Sequence, residues 1–131
     1  MNKLFLIFAA IAGAMAVAAG AMLAHQLKQQ IPTAALEVYE VAVRYQFYHV
    51  FALLSVGMLS ERIHGFWMNL AGNCFIAGIL LFCGSLYIIS ALITSGTSVP
   101  VALGILTPLG GLGFILGWVF LTIGLLKGRS S

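Results

Sequence analysis

The residues best suited to chemistry are gathered in one stretch, Leu36 to Leu54 (LEVYEVAVRYQFYHVFALL), whose surroundings are apolar. On a helix that advances about 100° per residue, charged groups fall on one face and neutral polar groups fall nearly opposite. The charged face carries Glu37, Glu40, Arg44, Tyr48 and Ser55, and the other carries Gln46 and His49 between Ala42 and Leu53. Lipid cannot cover either face without a large cost. We therefore expect this helix to be the hub of a membrane bundle, covered on both sides by other helices, trapped water or a ligand.

The charges of this stretch allow two interpretations. Glu40 and Arg44 lie one helical turn apart and can pair directly, which would fix the helix at the membrane interface. Alternatively, Arg44 with Glu37 and Glu40 binds an anionic headgroup or substrate.

Histidines introduce a further possibility, because His25 and His49 could bind haem or a metal from two neighbouring helices. No CxxC, CxxCH, HExxH or paired Glu-x-x-His pattern accompanies them. We therefore predict no metal and no cofactor. We expect the histidines instead to form hydrogen bonds with Glu or with a backbone carbonyl.

Catalysis is not favoured by the residue inventory. The sequence lacks Asp, and its carboxylates, Glu37, Glu40 and Glu61, lie near Arg44 or Arg62 rather than as an isolated acidic pair. Neither a Ser/His/Asp triad nor a pair of acids is available, so we predict that the protein is not an enzyme.

Composition defines the class of protein that must position these residues. The 131 residues are 62% hydrophobic and only 7% charged, which predicts an integral membrane protein. This length holds about four spans of ~20 residues in one domain, residues 1–131. The net charge of +3 is explained by positive-inside topology and lipid headgroups, so we expect membrane lipid, and no nucleic acid, as a partner.

The spans follow from the apolar runs and predict an all-α, up-down four-helix bundle. They are expected at about 4–24, 40–60, 67–93 and 101–126, with the second helix beginning near Thr33, after Pro32. The first run is too long for a signal-peptide core, which indicates an uncleaved span. Pro108 should kink the fourth helix. Close packing is expected at four glycines, Gly13, Gly20, Gly113 and Gly117.

Orientation follows from the distribution of Lys and Arg. With four spans, one side carries Lys3, Arg62, Lys127 and Arg129, and the other carries Lys28 and Arg44. We predict that the richer side, with both termini, is cytoplasmic. A polar cluster then gathers in the outer half of the bundle. Its candidate members are His25, Glu37, Glu40, Arg44, Gln46, Tyr48, His49, Ser85 and Thr107.

Four motifs in this order also carry a family resemblance: GAMLAHQL (20–27), RYQFYH (44–49), FCGSLY (82–87) and TPLGGLGFILGW (107–118). The chain resembles the DUF423 family of YgdD/YwdK-like small membrane proteins. The resemblance implies a four-span protein of the bacterial plasma membrane, and it attaches no reaction to the family.

Function classes remain open at this point. An accessory or scaffold subunit of a larger membrane complex, or a homo-oligomer, is favoured by the small-residue faces and the shortage of catalytic groups. A carrier or channel for a small molecule or lipid, which would use the outer polar cluster, is the alternative. A cofactor-binding or enzymatic role is the third class.

Overall fold

A computed structural model of the protein describes residues 1–25 and 27–128. Within them, four long helices confirm the predicted all-α architecture. They are α1 (Lys3–His25), α2 (Thr33–Leu59), α3 (Phe66–Thr94) and α4 (Val101–Lys127), with one 3-10 turn at Leu27–Gln29. Arg129, which contributes to the predicted charge asymmetry, lies outside the described residues.

The helices alternate in direction. The backbone amide of Asn2 donates to the Gly57 carbonyl at 3.0 Å, and Gly128 lies against Ile63. Both ends of the described chain therefore meet the α2–α3 connection at one end of the bundle. Which side of the membrane this end faces stays a prediction.

Local signals in the sequence explain where helices begin and end. Pro32 and Pro100 have extended backbone at the first turns of α2 and α4, where a missing amide costs nothing. At the end of α3, Gly96 has a φ of 72°, a conformation that favours glycine. The amides of Gly96 and Thr97 donate to the Ile93 and Leu92 carbonyls. This pattern is a Schellman motif, which terminates the helix.

The central pair of the bundle is α2 and α3, with α1 and α4 on its flanks. Helix α1 packs along α2, and α4 packs along α3. The flanking helices also reach across: the Phe5 ring lies over Gly72 of α3, and Phe114 of α4 stacks against His49 of α2.

The α3–α4 interface is built from reciprocal contacts between phenylalanine and glycine. Phe75 of α3 lies against Gly117 of α4, and Phe114 of α4 lies against Gly78 of α3. Each helix carries the same seven-residue pattern, GNCFIAG at 72–78 and GLGFILG at 111–117. Because the helices are antiparallel, each ring meets the other helix's final glycine, and both backbones approach closely.

One turn of α3 departs from α-helical geometry. Residues Ile79–Cys83 form a π-helical turn, and Phe82 within it packs its backbone against Gly110 of α4. Helix α4 runs continuously through Pro108, so its backbone is helical on both sides of the proline. The predicted kink at Pro108 stays a prediction.

The α1–α2 interface uses alanines and two less crowded glycines of α1, whereas Gly57 near the end of α2 is crowded, because a methyl group there would lie 2.7 Å from the Leu6 side chain. Ala9, Ala12 and Ala16 are buried there, whereas a methyl group on Gly13 or Gly20 would meet the α2 valines at ordinary contact distance, 3.4 and 3.6 Å. Both glycines therefore lie at a helix contact. Gly113 also lies at a contact, and of the four predicted packing glycines only Gly117 is tightly crowded.

Other helices cover only one of the two polar faces of α2, and trapped water or a ligand on the other face stays a prediction. Gln46 and His49 are each 4% exposed, but Tyr48 is 54% exposed, and Arg44 and Ser55 are also exposed. The physical reason is that α1 and α3 pack on the side opposite Tyr48, while α4 touches α2 mainly through aromatic rings.

Hydropathy separates α2 from the other three helices. By length and composition, α1, α3 and α4 are apolar enough to cross a membrane. Helix α2 is equally long, with 27 residues, but it contains the charged and polar residues of the 36–54 stretch.

Candidate functional site

Gln46 connects three helices at the centre of the bundle. Its Nε2 donates to the Ala12 carbonyl of α1 at 2.7 Å, and its Oε1 accepts a hydrogen bond from the Tyr87 hydroxyl of α3 at 2.7 Å. A buried amide needs both kinds of partner, and here it has them within the chain. Gln46 therefore joins α1, α2 and α3.

Two further hydrogen bonds continue this network toward the Pro32 end of the bundle. The Tyr39 hydroxyl donates to the Ala19 carbonyl at 2.9 Å, and its ring packs edge-on against Tyr87. The Ser90 hydroxyl donates to the Ala35 carbonyl at 2.8 Å. Across the described residues, every buried side-chain nitrogen and oxygen has a hydrogen-bond partner.

His49 occupies the opposite side of the buried face, toward α4. The Trp118 indole donates to His49 Nε2 at 3.2 Å, and His49 Nδ1 lies 2.7 Å from the Tyr45 carbonyl. Because Nε2 accepts a hydrogen bond, the proton must be on Nδ1, which donates to Tyr45. The ring also stacks on Phe114, with centroids 3.5 Å apart and planes inclined by 9°. The contacts thus fix a neutral imidazole in one tautomer and orientation.

The two candidate metal-binding histidines are far apart. Val50 faces Gly13, so His49 lies near the level of Gly13. His25 is twelve residues further along α1, about 18 Å along the helix axis. No group of three His, Cys, Asp or Glu side chains in residues 1–25 and 27–128 is placed to hold a metal ion.

A groove lies between α2 and α4, which we call the lateral groove, and it has a volume of about 880 Å³. It is open toward the outside of the bundle, where Tyr48, Leu112 and Ile115 are exposed. Its lining residues are Tyr45, Tyr48, His49, Phe82, Pro108, Gly111, Leu112, Phe114, Ile115 and Trp118. Such an apolar, aromatic wall with few polar groups suits a flexible or flat apolar ligand.

The candidate polar residues are not brought into one cluster. Gln46 faces α1 and α3, and His49 faces α4. Ser85 and Thr107 bond to each other at 2.7 Å, which joins α3 to α4 as their predicted convergence implies.

The remaining candidates lie on the outside. Residues His25, Glu37, Arg44 and Tyr48 are exposed, and Glu40 is half-buried. Glu40 and Arg44, both in the described part of the chain, form no ion pair, so the first of the two interpretations, direct pairing, is not observed. Contact between an exposed and a half-buried side chain at the protein surface gains little, so the two can separate.

Several residues of this arrangement carry no local sequence signal. Tyr87 lies 41 positions from Gln46, and Trp118 lies 69 positions from His49. The sequence shows only that a hydroxyl and an indole lie in apolar helices. Such donors need a hydrogen-bond partner when they are buried, but the sequence does not show which residue it is.

Comparison with known proteins relates the chain to a family of membrane proteins. A family model, Protein of unknown function (DUF423), matches residues 19–111. The membrane protein YwdK of Bacillus subtilis is 39% identical over 126 residues, 95% of this chain and 98% of that protein. A UPF0382 membrane protein of Staphylococcus aureus is 43% identical over 125 residues, covering 95% of this chain and 97% of its own length.

Another bacterium supplies a third relative. A UPF0382 membrane protein of Haemophilus influenzae is 35% identical over 130 residues, 99% of both chains. No solved structure matches the chain. The four-helix architecture, the apolar helices and these relatives together show that the chain is a multi-pass bacterial membrane protein and a member of the DUF423 family.

Proposed function

We propose that the protein is a non-catalytic accessory or scaffold subunit that packs against another membrane protein in the bacterial plasma membrane. The observation that carries this proposal is a row of small, exposed residues on α1: Ala10, Ala14 and Ala18. Four-residue spacing places them on one stripe, nearly opposite the buried Ala9, Ala12 and Ala16. Small residues at this spacing let a neighbouring transmembrane helix approach closely.

The use of the interior polar groups supports the same proposal. Gln46, Tyr39 and Ser90 bond to backbone carbonyls of neighbouring helices, and His49 is held between Tyr45 and Trp118. Groups that hold helices together in this way are not available to activate a substrate. A rigid bundle with an unpartnered helix face suits assembly better than chemistry.

Photo-crosslinking in living cells tests this proposal. A photoreactive amino acid at Ala14 should give discrete adducts of higher mass, identified by mass spectrometry. The matched control is Ile105, an exposed residue of α4. Identical patterns at both positions, or no protein adduct at Ala14, would rule out α1 as the partner face.

The lateral groove favours a second candidate, a carrier for a lipid or another apolar molecule. Its volume of about 880 Å³ is within the range of ligand sites, and it opens at membrane depth. Transfer of a labelled lipid between leaflets of vesicles that contain the purified protein tests this candidate. Transfer equal to that of protein-free vesicles would leave the groove without a transport role.

A further inference from the structure

We propose that the lateral groove and the charged turns of α2 above it bind a zwitterionic phospholipid with a primary ammonium, of the phosphatidylethanolamine type. One acyl chain lies in the groove, the phosphate lies at Arg44, and the ammonium lies at Glu40. This inference builds on the groove of the second candidate function but requires only binding, so the lipid can be bound without being transported.

The depth of the charges in the bilayer is the first support. Phe114 is the middle residue of α4, and His49 stacks on it, so His49 marks the mid-level of the bundle. Arg44 is then about 8 Å, and Glu40 about 14 Å, from this level toward the Pro32 end. The hydrocarbon half-thickness is about 15 Å. Arg44 must therefore extend its side chain outward to reach the headgroup layer.

The order of the charges is the second support. Moving outward along this face of α2, the cation Arg44 comes first and the anions Glu40 and Glu37 follow. A phosphatidylethanolamine molecule presents the complementary order, with its phosphate nearer the hydrocarbon and its ammonium further out. Arg44 pairs with neither carboxylate in the described residues, so its guanidinium is available to a phosphate. The two glutamates disfavour a purely anionic headgroup, because like charges repel.

The lateral groove continues directly from these charges. Tyr48 lies one turn below Arg44 on the same face of α2 and lines the groove. On α4 the groove runs from Pro108 to Trp118, about 15 Å along the helix axis. Gly111 lacks a side chain there and leaves the groove open at its middle. An acyl chain fits this length, and the aromatic wall offers it a smooth apolar surface.

The competing occupant is a second copy of the chain. Two parallel α2 helices could pair Glu40 of one with Arg44 of the other, because the face is self-complementary in charge. The lateral groove would then contact the partner's α2. A partner helix can also pack over a groove between two helices. The order of the charges along α2 and the apolar, aromatic lining of the groove favour the lipid, and the tests below distinguish the two occupants.

Native mass spectrometry of the purified, delipidated protein provides the first test. Phosphatidylethanolamine, phosphatidylglycerol and phosphatidylcholine with identical acyl chains are added separately. We expect phosphatidylethanolamine to bind about five-fold more tightly than either of the others, because only it offers both a phosphate and N–H donors. Arg44→Gln should remove this preference, whereas Lys28→Gln, which removes a charge at the same end of the bundle, should retain it.

Fluorescence provides the second test, which locates the acyl chain. In a Trp67→Phe background, Trp118 is the sole tryptophan. Phosphatidylethanolamine with brominated chains should quench its emission in detergent micelles at low lipid ratios. Gly111→Leu should fill the groove and abolish this quenching, and Gly104→Leu, at a site with nothing within 4 Å, should not.

Three outcomes overturn the proposal. They are equal binding of the three lipids, equal effects of Arg44→Gln and Lys28→Gln, and quenching that is unchanged by Gly111→Leu. An Arg44-dependent dimer without a lipid adduct would assign the face to a second copy. Crosslinking at Ala14 does not depend on any of these results, so the accessory role can fail or stand separately.

Discussion

The two helix pairs of this bundle solve the same packing problem by different means. Between α3 and α4, aromatic rings lie on glycines, and the backbones approach so closely at Gly110 and Phe82 that no side chain fits between them. Between α1 and α2, alanines form the contact, and Gln46 adds a hydrogen bond. Lipid is as apolar as the side chains, so helix association rests on close packing and polar bonds. The α3–α4 pair relies mainly on close packing, with one side-chain hydrogen bond between Ser85 and Thr107, and the α1–α2 pair combines close packing with the buried bond of Gln46.

The largest effect on stability is expected from one added methyl group at Gly110, in the α3–α4 interface. A Cβ there would lie 2.7 Å from the Cα of Phe82, which cannot rotate away because it is backbone. We expect Gly110→Ala to lower the free energy of unfolding by about 3 kcal/mol, the upper end for overpacking. Thermal unfolding in detergent measures this loss, with Gly104→Ala as the control. If both variants melt at the same temperature, the backbones of α3 and α4 do not approach closely at Gly110.

The reciprocal contacts should show the next largest effect. A methyl group on Gly117 would lie 2.6 Å from the Phe75 ring, and Gly78 faces Phe114 in the same way. Each ring can shift slightly, so we expect Gly117→Ala and Gly78→Ala each to cost about 1–2 kcal/mol. Gly113→Ala is the matched control, because its nearest atom is 3.4 Å away. A loss at Gly113 as large as at Gly117 would contradict the reciprocal pairing.

Gln46→Leu tests the hydrogen bond between α1 and α2. This substitution leaves the Tyr87 hydroxyl without its acceptor and removes the bond to Ala12. Hydrogen bonds between transmembrane helices average about 0.6 kcal/mol, with a maximum of about 1.7 kcal/mol, so we expect a loss of about 1 kcal/mol. A double-mutant cycle with Tyr87→Phe isolates the α2–α3 bond between Gln46 and Tyr87. The loss that Gln46→Leu still causes in the Tyr87→Phe background reports the α1–α2 bond to Ala12, and no remaining loss would show that this bond adds nothing to stability.

These effects differ in how far the sequence anticipates them. Proline and glycine positions predict the helix ends, and the apolar runs predict four helices, because both signals are local. The pairing of Gln46 with Tyr87 depends on which helices are neighbours, a property of the whole bundle. The same limit explains why Tyr48 is exposed although its face of α2 is polar: periodicity indicates a polar face but not what covers it.

The pattern shared by α3 and α4 is a different case, since its signal is present in the sequence. The segments GNCFIAG and GLGFILG align without a gap. Each supplies one phenylalanine ring and one glycine against which the ring of the other helix packs. A GxxxG search identifies Gly113 and Gly117 but overlooks the phenylalanine that makes one of them critical. Crowding depends on what faces a glycine, so spacing between glycines is an incomplete guide to it.

The smallest expected effect belongs to Gly20→Ala in the α1–α2 pair. Its added methyl group would meet Val43 Cγ1 at 3.6 Å, which is ordinary contact, so no neighbour has to move. Alanine also loses less backbone entropy than glycine in a helix, by about 0.5–1 kcal/mol. We therefore expect unchanged or slightly raised stability in the detergent melt used for Gly110→Ala. A loss comparable to that of Gly117→Ala would mean that α1 and α2 are as closely locked as α3 and α4, and the contrast between the two pairs would disappear.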